Sequence, residues 1–104
     1  MFFELRQYEI NEGKMGEWVE FMEGEIIPFQ VGKGMVITAS FRGEEDDSVY
    51  VWMRRFESES QREQLYKDVY ESEEWTTYYA PRCNELIGSA NVQRIVPTPR
   101  SVTQ

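Results

Sequence analysis

Glu4, Arg6 and Tyr8 stand two residues apart, which places them on one side of any extended strand. The same spacing groups Tyr50, Trp52 and Arg54 on a second segment and Thr38, Ser40 and Arg42 on a third, and Arg94 joins them from a fourth. Four of the eight arginines then share one face, with Glu4 as the main counter-charge. Guanidinium groups suit carboxylates and planar anions because they donate in a rigid fork. Charge left unpaired in an interior is costly, so these side chains must pair with Glu, meet water or hold an anionic ligand. The candidate ligand-binding residues are therefore Arg6, Tyr8, Arg42, Trp52, Arg54 and Arg94. The plainer reading of the same set is an ion-pair network.

A second group, Trp18, Trp75, Tyr78 and Tyr79, falls on helical segments. These rings make either aromatic core or the lining of a cleft for a flat aromatic or lipid-like ligand. A sheet–helix cavity above roughly 300 Å³, lined by Tyr or Trp and one Arg, would favour a substrate site. No catalytic residue is assigned. Cys83 lies beside Arg82, which could lower its pKa, but no histidine base exists, and a small half-buried helix residue is the simpler reading. Glu44, Glu45, Asp46 and Asp47 lack the alternating ligands and set glycine of a calcium loop, so they read as a solvated turn. The chain has no histidine, which excludes histidine-ligated haem, His-containing zinc sites and Ser-His or Cys-His dyads. No metal and no cofactor are expected.

The elements that must position these groups follow from periodicity. Residues 2–10, 35–42, 49–56 and 89–97 read as strands, the middle two as a hairpin around an acidic turn. Residues 13–31 carry Met15, Trp18, Val19, Met22, Ile26 and Phe29 at the spacing of one buried helical face. Asn11 could cap this helix. Pro28 should kink it or end it early, and Gly32 and Gly34 should stop it. A second helix starts near Ser58 or Ser60, where Ser60 and Glu63 form a capping-box pattern. A third restarts with Ser72 as N-cap, bends at Pro81 and ends at Gly88. The order strand–helix–strand–strand–helix–strand predicts an α+β, ferredoxin-like βαββαβ unit: a four-stranded antiparallel sheet with helices on one face. Residues 1–97 form this domain and 98–104 a flexible tail. The apolar parity (Phe3, Leu5, Ile37, Ala39, Phe41, Val49, Val51, Met53, Ile95) should meet the helices. The arginine-rich parity should then face a second copy of the sheet.

Composition restricts the partners. At 104 residues, 40% of them apolar and 14% aromatic, there is room for one core and a surplus of large rings. A net charge of −8 opposes nucleic acid and anionic membranes. No run approaches the ~18–20 apolar residues of a membrane span. The start MFFELRQYEI lacks a basic region and a long apolar run, so no signal peptide is expected. With a single cysteine and no internal disulfide, a reducing, cytoplasmic location is compatible.

Three segments resemble the NIPSNAP family. FFELRQYEINEGK is similar to its opening strand and Gly-Lys turn; VWMRRFESESQR to its third strand and helix entry; SEEWTTYYAPRCNELI to its Asp-Pro-Glu-Trp segment and the helix after it. The resemblance runs over roughly residues 2–97. It implies a dimeric α+β barrel in which two four-stranded sheets close on each other, so the expected partner is a second copy of the chain, with a small anionic or aromatic ligand besides. It implies no agreed reaction: the function it suggests is ligand binding or interaction. The alternative is a cofactor-independent monooxygenase or isomerase acting on an aromatic or polyketide-like substrate. The family's third strand often carries a His and a Trp where this chain has Trp52 and Arg54, so chemistry needing that His would be absent. Ser72 and Glu73 stand where Asp-Pro is usual.

Overall fold

The computed structural model describes residues 1–104. β1 (Phe2–Ile10) leads through a turn to a helical layer of α1 (Met15–Phe21) and α2 (Ile27–Lys33), joined by a π turn at Met22–Ile26. The hairpin β2 (Val36–Arg42) and β3 (Val49–Phe56) follows. Then come α3 (Glu59–Tyr70), a second π turn (Trp75–Tyr79), α4 (Ala80–Leu86) and β4 (Ile87–Ile95). The sheet is antiparallel in the order β2-β3-β1-β4, with β1 and β3 at the centre as the connectivity predicts.

Neither proline ends its helix. Ile27 N–H bonds back to the Met22 carbonyl and Ala80 N–H to the Trp75 carbonyl, each spanning five residues instead of four. Pro28 and Pro81 come next in the chain. A proline has no N–H to give and its ring crowds the carbonyl four residues back. Widening the turn just ahead makes room for it, and the helix continues. The stop comes at Gly34, whose φ of 111° only glycine adopts without strain; Gly32 lies inside the helix.

Two caps differ from expectation. Ser58, not Ser60, caps α3: its hydroxyl accepts from Gln61 N–H at 3.1 Å, and Gln61 reaches back to Glu57 N–H at 2.6 Å. Asn11 does not cap α1; its side chain donates to the Glu85 carbonyl, tying the end of β1 to the end of α4. Ser72 does accept from Trp75 N–H at 3.2 Å, as a cap should.

The parity of β1, β3 and β4 holds, but the two faces are exchanged. Glu4, Tyr8, Tyr50, Trp52, Arg54 and Phe56 are buried and meet the helices. Leu5, Val49, Val51 and Met53 lie on the outer side of the sheet, half-buried, and Phe41 there is 64% exposed. The physical reason is twofold. Tyr and Trp rings bury more area than Leu and Val, and the helices carry the polar partners (Gln30, Arg62, Tyr66, Tyr70) that make buried charge tolerable. A register shift between Ile37 and Ala39 separates two residues expected on one face: Ile37 pairs with Arg54 and packs in the core. Beyond β4 the chain crosses the outer side. Val96, Pro97, Ser101 and Thr103 gather around Phe3 and Met53, and Arg55 Nε donates to the Gln104 carbonyl at 3.2 Å.

Candidate functional site

At the heart of the sheet–helix interface lies a charged network with almost no access to water. Glu4 is 1% exposed and Arg54 0%. Glu4 and Arg54 are directly opposite on β1 and β3, so sheet register alone brings them face to face. Arg54 Nη2 donates to Glu4 Oε1 at 2.8 Å, and Arg62 Nε from α3 donates to Glu4 Oε2 at 2.9 Å. Tyr66 donates to the carboxylate at 2.7 Å while accepting from Arg54 at 2.9 Å. Arg54 Nη1 finishes on Gln30 Oε1 at 2.9 Å and the Tyr70 hydroxyl at 2.7 Å. The guanidinium also lies over Trp52, 4.7 Å from the ring centre. Burial pushes the Glu4 carboxyl up, but Arg62, Tyr66 and Arg54 together hold it below its ordinary value.

Beside this network is a cavity of about 240 Å³, half open to solvent, between the sheet and the two helical arms. Arg6, Tyr8 and Trp52 form its sheet wall; Trp18, Met22, Ile26 and Gln30 come from the first arm; Tyr70, Trp75, Cys83 and Asn84 come from the second; Ile87 and Ala90 of β4 close one side. Both π turns contribute to the wall, through Met22, Ile26 and Trp75. The space is below the roughly 300 Å³ of an ordinary ligand pocket. At roughly 30 Å³ per water it would hold about eight waters or one substituted aromatic ring.

The wall is polar in a particular way. Arg6 Nε donates to the Tyr8 hydroxyl at 3.0 Å and Nη1 to Tyr66 at 3.4 Å. Burial works against the Arg6 charge, yet Tyr8, Tyr70 and Tyr66 outweigh it and the guanidinium is held above its ordinary value. Burial pushes the Tyr8 hydroxyl up despite Arg6. Burial likewise pushes the Cys83 thiol up, to about 11, so neighbouring Arg82 does not activate it; Arg82 pairs instead with Glu17 at 3.1 Å. The side-chain N–H groups Trp18 Nε1, Trp52 Nε1 and Gln30 Nε2 are buried with no hydrogen-bond partner, and Arg54 Nε shares that state.

Of the residues singled out from sequence, Arg6, Tyr8, Trp52, Trp18 and Trp75 line this cavity, and Arg54 stands behind it. Arg42 is on the same side of the sheet but at its edge, where it pairs with Asp47 at 2.6 Å. Arg94 lies at the exposed β4 edge, pairing with Glu59 at 2.6 Å and covering the Phe2 ring. Tyr79 stacks between Phe29 and Trp75, and Tyr78 is mostly exposed and bonded to Glu25; neither reaches the cavity. In the acidic turn, Asp46 accepts from the Ser48 N–H and hydroxyl and shapes the loop. Gln30, Arg62, Tyr66 and Tyr70 went unrecognised. Tyr66 and Tyr70 were visible one helical turn apart, and Gln30 one turn after Ile26, but only tertiary contact shows that they meet Arg54.

The NIPSNAP family model matches residues 3–102. A NIPSNAP family protein from Agrobacterium tumefaciens superposes with a TM-score of 0.89 at 25% identity, over 99% of this chain and 98% of that one. A second nipsnap family protein from the same organism, with unknown function, gives 0.90 at 22% identity over 100% and 94%. The fold is also similar to that of an antibiotic biosynthesis monooxygenase, with a TM-score of 0.69 at 15% identity over 95% and 100%. No curated protein matches the chain. With the family model covering nearly its whole length, on an α+β sheet of the same topology, this chain belongs to the NIPSNAP family.

Proposed function

We propose that this domain is a homodimeric small-ligand-binding module whose ligand, a single-ring planar molecule, sits in the cavity between sheet and helices. The observation that carries the ligand is the set of orphaned donors: three buried N–H groups without partners on residues lining one aromatic cavity. Buried polar groups are otherwise nearly always satisfied. These N–H groups are shielded from water, so a molecule in the cavity would complete their bonds through a small shift of the side chains that carry them. The test is a thermal-shift series with benzoate, benzyl alcohol and benzamidine at millimolar concentration. A ligand that binds only the folded state must raise the melting temperature. If none of the three moves it, and none alters tryptophan fluorescence, the reading fails.

The second copy is supported by the outer sheet face. Leu5, Val49, Val51, Met53 and Phe41 make an apolar strip there, beside the uncharged Gln7, Asn91 and Gln93, with Glu9 at one end and Arg55 and the C-terminal segment at the other. A twofold mate brings the same strip, so both are covered at once. Sedimentation at micromolar concentration should give a dimer, and Val51→Lys a monomer; a wild-type monomer refutes the pairing.

The similarity to an antibiotic biosynthesis monooxygenase supports a second reading, oxidation or isomerisation of an aromatic substrate in the same cavity. The chain's own groups are poorly placed for it. Glu4 is fully engaged, and burial pushes Tyr8 and Cys83 toward their neutral forms. Oxygen uptake with hydroquinone above the protein-free rate, lost in Arg6→Gln, would establish the enzyme reading over binding alone.

A further inference from the structure

We propose that the cavity selects molecules that offer only hydrogen-bond acceptors and a negative charge, the chemistry of a small aromatic carboxylate; this rests on the ligand-binding reading above. The geometry of one amide leads to it. Arg54 can only donate, so the Gln30 atom 2.9 Å from it must be the carbonyl oxygen. That fixes the other arm of the amide as the NH₂ group, which is buried and unpartnered. The indole N–H groups of Trp18 and Trp52 share its state, and an indole nitrogen can only donate. Tyr8 already accepts from Arg6, and Tyr70 from Arg54, so each keeps its own proton for an incoming acceptor. All five residues line the cavity together with Arg6. Asn84 also lines it and could present a carbonyl, but it is exposed rather than buried.

Charge points the same way. Arg6, Arg54, Arg62 and Arg94 share two carboxylates, Glu4 and Glu59. Arg6 is the least well paired of the inner three, at 3.8 Å from Glu4, and it is the one in the cavity wall. An anion would add the missing counter-charge, and a planar one suits the guanidinium fork and the surrounding rings. A cation or a donor-rich molecule would set N–H against N–H.

Calorimetric titration of benzoate, benzyl alcohol and benzamidine keeps the ring constant and changes only the polar group. Benzoate should bind about tenfold more tightly than benzyl alcohol, the worth of one charge-assisted hydrogen bond, and benzamidine should not bind. Gln30→Glu keeps an oxygen on Arg54 and replaces the buried, unpartnered NH₂ beside the cavity by a second oxygen. Benzoate should then weaken by about tenfold or more, while benzamidine gains. Arg94→Gln, outside the cavity, should change neither. If Gln30→Glu does not fold, Trp18→Phe removes one donor and keeps a ring, and should weaken benzoate alone. Benzyl alcohol or benzamidine binding as tightly as benzoate would overturn the selectivity and leave the ligand-binding reading standing. So would unchanged benzoate affinity in a folded Gln30→Glu or Trp18→Phe. Failure of all three probes would end both.

Discussion

Replacing Glu4 by Gln changes one oxygen for one NH₂ in the least exposed charged site of the protein. The carboxylate accepts on both oxygens: Arg54 at 2.8 Å on one, Arg62 at 2.9 Å on the other, with Tyr66 across both. A glutamine can accept on only one side. Its NH₂ must then face either Arg54 Nη2 or Arg62 Nε, donor against donor. Arg54, with no exposure at all, loses its only close counter-charge. Breaking a buried ion pair from one side costs about 3–5 kcal/mol. Arg62 is partly solvated and Tyr66 can re-aim its proton, so the lower end, about 3 kcal/mol, applies here. For a domain of this size that corresponds to a melting-point drop of about 12–24 °C. Urea denaturation with linear extrapolation measures it directly. The companion variant is Glu4→Gln with Arg54→Met, which removes the stranded charge and should recover at least ~1 kcal/mol relative to Glu4→Gln alone. A loss under ~1 kcal/mol for Glu4→Gln, or a double variant no better than the single one, would refute the view that desolvated charge governs this site.

The same carboxyl sets an acid limit. Its folded value lies below the ordinary 4.5, so the unfolded chain takes up the proton first. Its stabilisation is complete well above that value and drains away as pH falls through it. Wild type should therefore lose more stability than Glu4→Gln between about pH 6 and pH 3 in urea titrations, and parallel losses would count against it. With the Cys83 thiol pushed up to about 11 by burial, alkylation by iodoacetamide near neutral pH should run about a hundredfold slower than for a free cysteine; an ordinary rate would contradict this. Ser58→Ala should cost about 1 kcal/mol in chemical denaturation and Ser60→Ala almost nothing, because only Ser58 holds an N–H of the first turn of α3.

Much of this molecule is legible in its sequence. Alternation along residues 2–10 and 49–56 marked two strands and sorted their side chains into the correct two sets. The connectivity placed these strands at the sheet centre, and three ordered segments carried the family resemblance that residues 3–102 bear out. Such features are local: a period of two, a capping serine, a proline that cannot donate. Which set faces the helices was not local. Reading Leu5 and Val51 as the core assumed that apolar residues go inside, whereas Glu4 and Arg54 neutralise each other once the strands pair in register. After that, the larger area of Tyr8, Tyr50 and Trp52 decides the face. The same distinction divides the arginines. Arg6, Arg42, Arg54 and Arg94 look alike in sequence, but the helices cover the central strands and not the edges. Two of them therefore became site and scaffold, while Arg42 and Arg94 stayed at the surface with acidic neighbours. Sequence alone determined the order of the elements, the sorting of the two central strands and the family resemblance; tertiary packing decided that the last strand begins at Ile87 with Gly88 inside it, and which face was buried, because burial depends on partners contributed by distant helices such as Gln30, Arg62, Tyr66 and Tyr70.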